Sequence, residues 1–215
     1  MYLILQSTYT NIELGLFDKG QQLDKMSVSK MEATSLLIPT IHALFKLHNC
    51  DLNILEFIGI NQGPGPFTTL RVLISTINGL AFATGIPLVG ADGLNALLKE
   101  SLASNTVALL NAFNKDVYYA TQNTSGCAKI ETFLKKLANP DRPEFVEEYE
   151  RGLTFIGNGA TLYKQEILQK FPDATINENL EFNSLKTIAA DCLEKFTNKN
   201  GISKKLMPLY LKDAI

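Results

Sequence analysis

Apolar and polar positions alternate over residues 11–18, where Ile12, Leu14 and Leu16 fall on one side. A period of two is the mark of a half-buried strand. A short apolar run at 2–5 precedes it as an opening strand. Lys19-Gly20 reads as a hairpin turn, and 21–28 predicts the returning strand. The period then changes. Leu37, Ile41, Leu44 and Phe45, with Ile38 beside them, recur at helical spacing. Thr34 or Ser35 is the expected N-cap, which puts Pro39 near the first turn, where a missing N–H costs little. Residues 57–61 predict a buried strand, and Phe67 to Thr84 a long helix stopped by Gly85. Residues 86–90 read as a strand and 92–102 as a helix. The first half therefore reads βββαβα.

The second half starts again. Residues 106–111 predict a buried strand, and 115–121 its hairpin partner. The polar stretch 122–150 holds one amphipathic pattern around 130–138. A strand at 153–157 runs into the turn Gly157-Asn158-Gly159, and helices are expected at 160–170 and 184–197. No sequence repeat is visible. The echo in element order predicts two related lobes, 1–103 and 104–215, with the tail packing back on the first.

Composition narrows the function classes. The chain has 215 residues, 46% of them apolar, which excludes a disordered chain. Its 22 acids against 20 bases leave a charge of −2. That argues against a stand-alone nucleic-acid binder, though not against a subunit of a complex that handles nucleic acid. No stretch approaches the roughly 20 apolar residues of a membrane span, and the opening run is too short for a signal peptide. Cys50, Cys127 and Cys192 are odd in number and far apart, as free thiols in a reducing cytoplasm would be. His42 and His48 do not share a helical face, so they read as separate, partly exposed histidines rather than metal ligands. Glu147, Glu148 and Glu150 read as a solvated face.

The sharpest feature is Gly63-Pro64-Gly65-Pro66-Phe67-Thr68-Thr69-Leu70-Arg71, between a buried strand and a long helix. Glycine permits unusual backbone angles and proline stiffens the turn. Such a junction can cradle an anion. Here there is no lysine after the glycines, and Pro64 and Pro66 remove two N–H donors. The loop reads as a structural helix entry carrying Gly63, Pro64, Gly65, Phe67, Thr68 and Arg71.

The stretch from Asn61 to Gly90 resembles the TsaB (YeaZ) family, whose members read GPGSFTGLR, then GLAFA, then G-IPLVG. The likeness extends to Leu3–Thr8, Glu32–Ile41, Leu110–Ala120, Phe155–Ala160 and Pro208–Leu211, in family order. The resemblance implies an α/β fold of the actin-like ATPase (ASKHA, RNase H-like) class, with two lobes each built on βββαβα. It also implies a role in tRNA modification. TsaB proteins are regarded as scaffolds for the homologous TsaD subunit, which transfers a threonylcarbamoyl group to adenosine 37 of tRNA to give t6A. TsaE, an ATPase, joins that pair.

Three departures from the family pattern bear on chemistry. Gln6 stands where the family has an aspartate at the end of the first strand, and Asn111 stands for its counterpart in the second lobe. A hard cation such as Mg²⁺ prefers carboxylate oxygens at such positions. Ala33 stands for the histidine of the first family helix, and no HxxxH motif is present. The expectation is a chain with no catalytic, metal or cofactor site of its own. ATP and metal would sit on TsaD and TsaE, and tRNA would be met only within the complex. The alternative is an actin-like ATPase or an M22-type glycopeptidase acting alone. Two helices also look too apolar for one buried stripe. By family resemblance, Leu37, Ile38, Ile41, Phe45, Leu70, Ile74 and Ile77 are expected to form the face for TsaD, or for a homodimer in its absence.

Overall fold

A computed structural model describes residues 1–139 and 152–211. The glutamates at 147, 148 and 150 lie outside the described residues. The chain divides into two compact units, Met1–Gly93 with Ser184–Leu209, and Leu94–Asn183 with Tyr210–Ile215. The sequence-based boundary at 103/104 thus falls past the observed division, because Leu94 and Leu97 pack with Ala108, Leu110 and Ile156 of the second unit.

In the first unit, β1 (Tyr2–Ser7), β2 (Asn11–Asp18) and β3 (Gln21–Ser29) form the expected antiparallel meander. Then come α1 (Ala33–Leu47), β4 (Phe57–Asn61), α2 (Phe67–Thr84) and β5 (Leu88–Ala91). β4 pairs parallel to β1, and β5 parallel to β4. Leu3 and Leu5 point to the side covered by α1 and α2, where they join Leu37, Ile41, Leu44, Leu73 and Ile77 in the main core. The other side is covered by α7 (Leu185–Thr197), which the chain supplies only near its end. β11 (Ile202–Ser203) then adds antiparallel to β5, giving the order β11-β5-β4-β1-β2-β3.

The second unit repeats the scheme. α3 (Gly93–Glu100) leads into β6 (Thr106–Asn111), β7 (Asp116–Ala120), β8 (Ser125–Lys129) and α4 (Ile130–Leu137). β9 (Thr154–Ile156), α5 (Asn158–Leu162), α6 (Lys164–Lys170) and β10 (Thr175–Ile176) complete it. Its strand order, β10-β9-β6-β7-β8, matches the order β5-β4-β1-β2-β3 position for position.

Three details differ from the sequence reading. α1 begins at Ala33 after Glu32, with no side-chain cap, so Pro39 lies inside the helix rather than in its first turn. Strands β8, β10 and β11 are added. By length and a mean hydropathy of 1.2, α2 is apolar enough to cross a membrane, yet its Leu70, Leu73, Ile74, Ile77 and Ala81 row packs on its own sheet.

His48 closes α1 onto β3, with Nε2 3.2 Å from Asp24 Oδ2. The Lys25 backbone N–H, and then His48, hold the Asp24 carboxyl below its ordinary value of 3.8. A carboxylate with a lowered folded pKa contributes stability above its ordinary pKa, and that contribution fades as pH falls through the folded value. The stability difference between the wild type and Asp24→Asn is therefore expected to be larger near pH 7 than near pH 3 in urea titrations. An unchanged difference would refute the assignment.

Candidate functional site

The strand ends of the first unit carry the residues that chemistry would need. Gln6 ends β1 with 1% of its surface exposed, and Asn61 ends the neighbouring β4 with 7% exposed. Buried amides demand partners, and both have them. Gln6 Nε2 donates to Glu13 Oε2 on β2 at 2.8 Å, and its Oε1 accepts from Asn61 Nδ2 at 3.5 Å. Glu13 Oε1 in turn accepts from Lys25 Nζ on β3 at 2.6 Å. Asn61 Oδ1 accepts from the Gly63 N–H at 2.9 Å. One polar row thus ties four adjacent strands together. Its carboxylate, Glu13, is already paired with a lysine, and the neutral amide of Gln6 is a poor ligand for a hard cation. These side chains do not fit the Mg²⁺ of an actin-like ATPase. Among the described residues, no three His, Cys, Asp or Glu side chains converge as a metal-ligand set.

The glycine–proline loop follows directly. Gly63 adopts φ +102°, and the Gly63–Pro64 peptide is cis. A Cβ at Gly63 would lie 2.8 Å from Leu70 Cδ2, so both the backbone angle and the space call for glycine. The Gly63 carbonyl accepts from Gly93 N at 2.8 Å, and Leu70 N donates to Pro66 O at 3.0 Å to open α2. Pro64 is buried, Gly65 half-buried, and Phe67, Thr68 and Arg71 are exposed. The Arg71 guanidinium stacks 3.5 Å over the Phe67 ring. The tail strengthens this corner: Gln62 Nε2 donates to Met207 O, and Asn78 bonds both N–H and C=O of Leu206. Nothing in the sequence signalled those amide clamps.

The matching corner of the second unit is built alike. Asn111 Oδ1 accepts from Phe113 N at 2.8 Å, and its own N–H donates to Asn158 Oδ1 at 3.0 Å. The Gly157-Asn158 turn is held by Leu180 and Glu181 carbonyls at 2.7 and 3.1 Å.

The expected partner stripe requires correction. Leu37, Ile41, Phe45, Leu70, Ile74 and Ile77 are all at most 3% exposed, because they are the side of α1 and α2 that covers the sheet. Of the seven, only Ile38 faces out, at 48%. The outward apolar side chains are Leu36, Ile38 and Leu47 on α1 and Phe67 and Phe82 on α2, with Phe82 at 92%. A groove of about 730 Å³ runs between the C-terminal halves of the two helices, past Ile38, Phe45, Leu52 and Leu80.

Paired βββαβα units, each with a strand-end polar corner, define an actin-like fold. YeaZ from Pseudomonas aeruginosa superposes with a TM-score of 0.74 at 20% identity, over 98% of this chain and 99% of that one. A second Pseudomonas aeruginosa structure, described as similar to peptidase YeaZ, gives 0.76 at 19% identity, over 98% and 99%. The family model "TsaD: tRNA N6-adenosine threonylcarbamoyltransferase" matches residues 28–206, and the chain belongs to that family. Its similarity within the family is to TsaB proteins. The TsaB of Buchnera aphidicola subsp. Baizongia pistaciae is 21% identical over 93% of this chain and 92% of that protein. The TsaB of Haemophilus influenzae is 25% identical over 55% and 52%.

Proposed function

We propose that the chain is a non-catalytic scaffold subunit in the biosynthesis of tRNA N6-threonylcarbamoyladenosine, binding and supporting a TsaD-type transferase. The observation that carries this reading is the self-satisfied row Asn61–Gln6–Glu13–Lys25. The strand end where an actin-like enzyme would hold its metal is here spent on joining strands. In this reading α1 and α2 meet the transferase subunit through their outward side, TsaE joins the assembly, and tRNA is met only in the complex. A homodimer through the same side forms when the transferase is missing.

The purified chain is expected to hydrolyse no ATP above background, with or without Mg²⁺, and to leave peptides intact. Adding it to a reconstituted transferase is expected to raise threonylcarbamoylation of tRNA. A Mg²⁺-dependent turnover that disappears in Gln6→Ala would overturn the reading, as would full modification without the chain.

A further inference from the structure

Tyr2 lies at the start of β1, on the side of the sheet that α7 covers. Its ring stacks on Phe17 and Phe57 with centroids at 5.6 and 4.6 Å, and Phe57 stacks on Phe196 of α7 at 4.6 Å. This row fixes the phenol in place. Tyr2 is 2% exposed, yet its hydroxyl has no hydrogen-bond partner. Burial raises its pKa, and the nearby Gly20 N–H tempers the rise from outside hydrogen-bonding geometry. A buried polar atom without a partner is costly and calls for an explanation.

A surface cavity of about 370 Å³ adjoins Tyr2, lined by Gly20 and, from α7, by Lys186, Ala190, Glu194 and Thr197. Lys186 sits in the first turn of α7 and Glu194 in the last. Each charge is at the unfavourable end for the helix dipole, which prefers acids at the N-terminus and bases at the C-terminus. Neither has an ion-pair partner among the described residues, whereas Lys195 and Asp191 beside them pair at 2.8 Å. Ala190 leaves the helix surface low between the two charges. Dipole and side chains act in the same sense: the Lys186 end attracts an anion and the Glu194 end a cation. Eight residues of helix set the two Cα atoms about 12 Å apart. The two flexible side chains close that span to the length of a small zwitterion.

We propose that this cavity binds an amino acid or dipeptide, with its carboxylate on Lys186, its ammonium on Glu194 and a polar group on the Tyr2 hydroxyl. The site lies wholly in the first unit and does not depend on the scaffold role. The test uses the full chain in saturation-transfer NMR and calorimetry, with L-alanine, L-serine, L-glutamine and diglycine as probes. Acetate and methylamine serve as controls carrying one charge each. At least one zwitterion is expected to bind more tightly than either control. Lys186→Gln and Glu194→Gln, both at exposed positions, are each expected to weaken it roughly tenfold through loss of a charge-assisted contact. Tyr2→Phe is expected to weaken it as well, while leaving the melting temperature unchanged or raised, because the orphan hydroxyl is gone. No probe binding up to about 10 mM would overturn the site. So would binding no tighter than the controls, or binding that the two glutamine substitutions leave intact.

Discussion

Aspartate at Ile74 is expected to unfold the first unit, whereas aspartate at Phe82, about two turns along the same helix, is expected to leave it folded and remove transferase binding. Ile74 is 3% exposed within the main core, and Phe82 is 92% exposed. A carboxylate at position 74 would be buried without a partner, a class of change that costs roughly 4 kcal/mol or more. At Phe82 the isolated chain loses little, since surface substitutions stay within about 0.5 kcal/mol. In the proposed complex that position would lose the roughly 1.5–3 kcal/mol of a buried aromatic and gain an ion in an apolar seam. Circular dichroism separates folding from binding, and a pull-down with the transferase subunit reads the second. Ile38→Asp is expected to behave like Phe82→Asp. If both outward variants bind the transferase normally, the partner does not dock on this side and the scaffold reading loses its physical basis.

Gly157→Ala is expected to destabilise the second unit by more than about 4 kcal/mol. Gly157 caps α5 at φ 94°, ψ 159°, a region that only glycine occupies readily. A Cβ there would lie 2.1 Å from the Leu109 carbonyl oxygen and 3.0 Å from its carbon. Those atoms belong to the backbone of β6, so relief would require β6 and the turn after β9 to separate. Gly79→Ala provides the contrast: it lies inside α2 with nothing within 4 Å of the added carbon. Replacing a helix-interior glycine there is expected to stabilise by up to about 1 kcal/mol. Urea titration of the two variants measures both effects. A Gly157→Ala protein within about 1 kcal/mol of the wild type would contradict the geometry.

The strands of the first sheet were legible because their alternation and their bounding turns agree. β1 and β4 are buried on both sides and read as continuous apolar runs. β8 was not legible: Ser-Gly-Cys-Ala-Lys has no apolar alternation and forms because β7 offers it an edge. β10 and β11, at two residues each, are too short to carry a pattern. The partner side was misread for a different reason. Leu36, Leu37, Ile38 and Ile41 are apolar most of the way around α1, so period alone cannot say which arc meets the sheet. The loss of the strand-end acid was legible in Gln6 and Asn111, but the bonds that occupy those amides were not. The orphan hydroxyl of Tyr2 has no sequence signal, since it depends on residues brought together from 2, 20 and 186–197.

The first unit is closed by a segment that leaves the ribosome long after the rest of that unit. Its sheet and helices α1 and α2 are complete by Gly93, while its lid, α7, begins at Leu185. At roughly 5–20 residues per second, that interval lasts on the order of ten seconds. During it, Tyr2 and Phe57 have no helix over them. A nascent chain halted before Ser184 is therefore expected to display a sticky aromatic sheet face and to recruit holding chaperones, which let go once α7 is translated. The late closing helix makes the second unit an obligatory pause in the folding of the first.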